Sequence, residues 1–115
     1  MQRLALDHIT AVDSDPVTLA QAARHAGCDG ICLFMEPMDV LPLMPKFDIY
    51  GDLSARRDLR RQLDDLGVAL DVAYPFTLAG RTDVQDFRVA MECAADLGAF
   101  LLNALIYDRA AGRRR

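Results

Sequence analysis

Apolar and polar positions along this chain repeat one pattern three times. A stretch with helical spacing ends at a glycine, and an apolar run follows at once and closes on polar or aromatic residues. The runs are Gly27-Cys-Asp-Gly-Ile-Cys-Leu-Phe-Met-Glu36, Gly67-Val-Ala-Leu-Asp-Val-Ala-Tyr-Pro75 and Gly98-Ala-Phe-Leu-Leu-Asn-Ala-Leu-Ile-Tyr-Asp108. A glycine in that position is the left-handed residue just past a helix end, and the short apolar run after it reads as a buried strand. With an opening strand over Leu4 to Ile9, the order is strand, helix, strand, helix, strand, helix, strand. That alternation predicts parallel strands joined by right-handed crossovers.

The helices have legible starts and faces. Ser14 or Asp15 is placed to cap the first helix, with Pro16 in its first turn. Leu19, Ala22, Ala23 and Ala26 form its apolar stripe. Ser54 is the expected cap of the second helix. There Leu59, Leu63 and Leu66 read as the buried stripe, and Arg56, Arg57, Arg60, Arg61, Asp64 and Asp65 as the wet face. Arg60 with Asp64 and Arg61 with Asp65 have the four-residue spacing that supports a helix by roughly a few tenths of a kcal/mol per pair. Thr82 or Asp83 opens the third helix, with Val84, Phe87, Met91, Ala94 and Leu97 along one side. The longest irregular segment, Glu36 to Asp52, holds Pro37, Pro42, Pro45 and Gly51, yet carries Met35, Met38, Leu41, Leu43, Met44 and Phe47 within or beside it. So apolar a loop should cover something, either a substrate mouth or a second subunit.

Length and composition narrow the picture. The chain has 115 residues, 52% of them hydrophobic, enough for one core and too few for two ordinary domains. A formal net charge of -4 gives no basic field for nucleic acid. No apolar stretch approaches the ~20 residues of a membrane span, and the N-terminus lacks a signal-like apolar core, which points to the cytoplasm. Cys28, Cys32 and Cys93 are an odd set on strand and helix patterns, as expected of reduced core thiols. The expected organisation is one (β/α) domain over residues 1–108 and a basic tail over 109–115.

Four strands with three helices fit a small open doubly wound sheet or a consecutive piece of a (β/α)8 barrel. The turn after the first strand, Thr10-Ala-Val-Asp-Ser-Asp-Pro16, is no phosphate loop, and the regular repeat favours half of a barrel. An open four-stranded sheet with an unrelated binding role is the alternative.

The runs Leu4-Ala-Leu-Asp-His-Ile-Thr10, Ala26-Gly-Cys-Asp-Gly-Ile-Cys-Leu-Phe34, Leu66-Gly-Val-Ala-Leu-Asp-Val-Ala-Tyr-Pro-Phe-Thr77 and Leu97-Gly-Ala-Phe-Leu-Leu-Asn-Ala-Leu-Ile-Tyr-Asp108 together resemble the N-terminal half of the sugar phosphate isomerase/epimerase family, the xylose-isomerase-like barrels. The resemblance covers nearly the whole chain to Asp108, largely through fold motifs. It implies a barrel in which a divalent metal (Mn, Mg or Zn) is held by carboxylates and a histidine near strands five to eight, and paired glutamates move a proton beside a substrate carbonyl. Those strands lie beyond this chain's four, so no metal site and no cofactor are expected from this chain alone. Where such relatives often carry a glutamate or histidine at the third strand's end, this chain has Tyr74.

Barrel sites form at the C-terminal strand ends, which makes His8, Glu36, Tyr74 and Asp108 the candidate substrate contacts, one per strand. If Leu4 and Leu6 fill the barrel interior, His8 points into the mouth. The competing reading is a histidine satisfied by neighbouring backbone. Glu36 is either a polyol contact or a solvated loop carboxylate. Asp71 and Asn103 are polar residues inside apolar strands, and burial without a partner costs about 1–3 kcal/mol, so they should be bonded to each other or to the backbone, or face the mouth. Asn103 joins the substrate-contact candidates.

Strand four, Phe100 to Tyr107, has no lysine or proline to protect an edge. It expects a partner, either a second copy forming a dimer or a complementary C-terminal half. Two functions follow: a small-molecule isomerase/epimerase active when the barrel is complete, or a catalytically inactive half-barrel that only self-associates.

Overall fold

A computed structural model of the chain describes residues 3–37, 41–79 and 84–107. The described residues form four strands, β1 (Ala5–Asp7), β2 (Gly30–Phe34), β3 (Ala69–Ala79) and β4 (Leu101–Tyr107), and three α-helices, α1 (Pro16–His25), α2 (Leu53–Leu66) and α3 (Arg88–Asp96). Short 3-10 turns cover His8–Ala11 and Val84–Phe87. The strands are parallel and lie in the order β1-β2-β3-β4. Each strand therefore neighbours the next in sequence, and the order never reverses.

Local chemistry fixes the helix ends. Asp15 caps α1 by accepting from the Thr18 N–H (2.8 Å), with Pro16 in the first turn. The cap of α2 is Asp52, not Ser54: its carboxylate takes the Ala55 N–H at 3.0 Å, and the helix starts at Leu53. Asp reaches the orphan N–H groups as well as Ser does and adds a favourable charge at the helix's positive end. All three repeat glycines are left-handed, with φ of 82° at Gly27, 68° at Gly67 and 77° at Gly98. Each sits just past a helix and turns the chain into the next strand.

One core holds all three helices against the same face of the sheet. It joins Leu19, Ala20 and Ala23 of α1, Leu59 and Leu63 of α2, and Ala90, Cys93 and Ala94 of α3 to Ile31, Leu33, Leu70 and Ala73. In α3 the buried face is turned by one position from the expected one. Ala90 and Cys93 point inward with Ala94 and Leu97, while Met91 is exposed. Small residues at 90, 93 and 94 let the helix approach the sheet, and Met91 has no room there.

The long loop is apolar for a reason internal to the chain. Met35, Met44 and Ile49 are buried, and Phe47 and Tyr50 pack on the core, while Leu43 stays exposed. The expected covering of a mouth or second subunit is thus taken largely by the chain's own core. Its end is tied down by Arg56, which the helical pattern assigned to the wet face. Arg56 is buried and donates Nε–H to Ile49 O (2.9 Å), Nη2–H to Tyr50 O (2.7 Å) and Nη1–H to Asp96 (2.8 Å). Arg60 pairs with Asp64 as expected (3.3 Å), whereas Arg61 pairs with Asp58.

Candidate functional site

The face of the sheet opposite the helices carries the polar chemistry. Side chains alternate across a strand, so a one-residue change of phase exchanges the faces. Leu6 packs against the helix-side core, which sends Asp7 to the helix-free face and reverses the phase expected for β1. Register then sets Asp7 beside Cys32 of β2, and Cys32 beside Val72 of β3. The β2–β3 register skips Asp71, and the β3–β4 register skips from Ala73 to Phe76. Bulges of this kind re-aim side chains, and Pro75, which has no N–H for the ladder, sits in the second one.

Those bulges bring three strands together. The Tyr74 phenol donates to Asp7 Oδ1. The same oxygen accepts the Ile9 N–H (3.1 Å). The Tyr74 ring lies on Phe34, with centroids 4.6 Å apart. Burial holds the Tyr74 hydroxyl well above its ordinary pKa, and the bond to Asp7 adds to this, so it stays a neutral phenol. The Cys32 thiol is raised by burial first and then by the charges of Asp7 and Asp71 on either side. It is a poor nucleophile there.

Toward the other end of the strands, Asp71 receives Arg3 Nη2–H at 2.6 Å and Nε–H at 3.3 Å. This pair crosses β2 at Gly30, where a Cβ would lie 2.7 Å from the Asp71 carboxylate. Gly30 leaves the space through which β3 reaches the residue preceding β1. Asp71 is thus bonded, but to the Arg3 side chain rather than to Asn103 or the backbone as expected.

The candidate residues divide. Tyr74 is on the helix-free face and joined to Asp7. His8 is fully buried at the start of the 3-10 turn. Its Nδ1 accepts the Phe34 N–H (3.1 Å), and its Nε2 faces Ser14 O at 2.8 Å, so the tautomer satisfying both carries its proton on Nε2. The ring packs on Phe34 and Phe47. Burial lowers the His8 pKa, opposed by the Ser14 carbonyl and by Asp7 and Asp15. Both nitrogens are therefore committed to backbone, and the reading of His8 as pointing into an open mouth is corrected. The strand ends at Asp7, so strand alternation no longer aims residue 8.

Glu36 is exposed after β2 and near enough to Tyr50 to raise that phenol further, after burial. Asn103 is exposed on β4, opposite the β3 bulge, and is not a buried polar group. Asp108 and the tail 109–115 lie outside the described residues, as do Met38, Thr82 and Asp83.

Sequence reasoning passed over Asp7 and Arg3. Asp7 had a signal: in Leu6-Asp7-His8 the residue alternating against a buried Leu6 is Asp7. Arg3 had none, since its partner is 68 positions away.

The described residues of this face offer no ligand set for the divalent ion that the resemblance implies for full-length relatives. Among the described residues no three His, Cys, Asp or Glu side chains converge. Asp7 and Asp71 already accept from Tyr74 and Arg3, and the thiol between them is held protonated. Among the described residues no helix is long and apolar enough to cross a membrane. Compared with the models of known protein families the chain matches none, and a search of curated proteins finds no match.

Proposed function

We propose that this chain is the N-terminal half of a barrel of the sugar phosphate isomerase/epimerase type. In this reading its helix-free face holds and orients a small hydroxy-carbonyl sugar derivative, while groups that the family carries on strands five to eight move the proton. The observation that carries the reading is the unreversed β1-β2-β3-β4 order with α1, α2 and α3 packed on one face. A doubly wound sheet reverses its order and takes helices on both faces, so its ligand crevice has no counterpart here. A barrel segment keeps one direction and gathers its substrate groups at the C-terminal strand ends, where Asp7 closes β1 and meets Tyr74.

The test is deuterium exchange at the carbon beside the carbonyl of aldoses and ketoses, phosphorylated or not, in D2O. The chain is assayed alone and mixed with a polypeptide carrying the four C-terminal units of such a barrel, with Mn2+, Mg2+ or Zn2+ supplied. Exchange in the mixture that Asp7→Asn and Tyr74→Phe both reduce supports the reading. No exchange in any combination, or exchange indifferent to both variants, overturns it.

A second reading, an inactive half-barrel that self-associates, is favoured by one observation. Phe100, Leu101 and Leu102, at the start of β4, are 82%, 61% and 44% exposed. Among the described residues β4 is paired on one side, to β3. An uncharged edge of this kind pairs readily with another strand. Light scattering over a concentration series decides: a dimer that Leu102→Lys dissociates supports this reading, and a monomer at all concentrations removes it.

A further inference from the structure

We propose that Asp7 and Tyr74 form a subsite for neutral hydroxyl groups, a vicinal diol being the smallest ligand that satisfies it, and that it excludes phosphate. The inference rests on the reading of the helix-free face as the substrate face, and it names the end of the substrate which that face takes.

The argument is one of donors and acceptors. Tyr74 gives its only proton to Asp7 Oδ1 and its oxygen also takes the Ile9 backbone N–H, so toward a ligand the phenol oxygen can only accept, through its remaining lone pair. Asp7 Oδ1 is occupied by that proton and by the Ile9 N–H, while Oδ2 has no partner among the described residues. Asp7 and Tyr74 are both only partly buried, on a face that no described helix covers. The pair therefore presents a carboxylate oxygen and a phenol lone pair side by side and offers no free donor. Two adjacent O–H groups meet that demand.

Charge sharpens the selection. Asp71, the next carboxylate on this face, is paired with Arg3, and among the described residues no cation is paired with Asp7. A phosphate group here would face the Asp7 carboxylate, and among the described residues the donors nearest it are already used, the Ile9 N–H by Asp7 and the Arg3 Nε–H and Nη2–H by Asp71. The half-buried Tyr74 ring, backed by the buried Phe34 ring, supplies an apolar surface for the carbon side of a polyol.

The test is a titration of the chain with xylitol and, separately, with inorganic phosphate, read by amide NMR. Xylitol is expected to give saturable shifts at Asp7, Cys32 and Tyr74 that phosphate does not give. Asp7→Asn and Tyr74→Phe should each weaken xylitol binding by about tenfold, the effect of losing one hydrogen bond to a charged or positioned acceptor. Arg57→Ala, on the exposed side of α2, should leave it unchanged. Each variant's spectrum reports its own folding, so if one fails to fold, the other and the phosphate comparison still decide. Saturable xylitol shifts on this face that survive both substitutions overturn the subsite but leave the substrate-face reading standing. Shifts confined to the helix side, or none, overturn both. An equal response to phosphate overturns the exclusion of anions.

Discussion

Replacing Arg56 with alanine should destabilise the fold more than any other arginine substitution on α2. The reason lies in what the guanidinium leaves behind. It holds two carbonyls at the end of the long loop, Ile49 O at 2.9 Å and Tyr50 O at 2.7 Å, and reaches Asp96 at 2.8 Å. Asp96 is 60% exposed at its side chain, so that ion pair is worth at most about 1 kcal/mol. The carbonyls weigh more, because a buried acceptor left without a donor costs about 1–3 kcal/mol. Ile49 O keeps a weak contact from the Cys93 thiol at 3.3 Å, whereas Tyr50 O keeps none among the described residues. With the packed stem of the side chain also lost, Arg56→Ala should cost about 2–4 kcal/mol. For a chain of this length that lowers Tm by about 8–16 °C, at roughly 4 °C per kcal/mol. Thermal and urea unfolding followed by circular dichroism measure it. Arg57→Ala, on the exposed side, should stay within about 0.5 kcal/mol of the parent. Arg56→Lys keeps the charge without the fork and should fall between. The reasoning is refuted if Arg56→Ala costs less than about 1 kcal/mol, or if Asp96→Ala costs as much, since the ion pair rather than the carbonyls would then be the source.

Three further outcomes are expected. Burial lowers the His8 pKa, so this group's contribution to stability is complete above its unfolded pKa of about 6.5 and is lost as pH falls from there toward the lower folded value. Protonation would set an Nδ1–H against the Phe34 N–H, and urea midpoints between pH 7.5 and 5 should fall for the parent and change less for His8→Gln. Gly30→Ala should cost about 1–3 kcal/mol by overpacking, because its Cβ meets the Asp71 carboxylate at 2.7 Å. Asp71→Ala should relieve part of that cost in a double-mutant cycle, and additivity of the two substitutions would refute the clash. Cys93 is fully buried, with its thiol pushed up to about 11, mainly by burial, so it should resist a thiol reagent until the chain unfolds. Cys28 and Cys32 should react first, and equal rates at all three would contradict the burial of Cys93.

What the amino-acid sequence determined by itself is everything set within a turn or two of chain. The left-handed glycines at 27, 67 and 98, the Asp15 and Pro16 start of α1, and the Leu59 and Leu63 stripe follow from backbone sterics and helical periodicity, and all are present. That the strands are parallel followed from the alternation of elements, whereas their unreversed order did not, since a doubly wound sheet shows the same alternation. Tertiary structure alone decided the phase and the exceptions. Whether Leu6 or Asp7 faces the helices depends on the register of β1 against β2, and no local rule fixes a three-residue strand. Arg56 has the helical position of a solvated residue and becomes buried because a loop returns over it with two unpaired carbonyls. His8 leaves the strand and spends both nitrogens on Phe34 and Ser14. Tyr74 was expected at the end of strand three but lies at the middle of β3, which runs on to Ala79, and its partner Asp7, 67 positions away, is brought into reach by the bulges that offset β3 from its neighbours. Contacts at such separations are chosen by packing and by the satisfaction of polar groups across the whole fold. The spacing of residues along the chain holds no record of them.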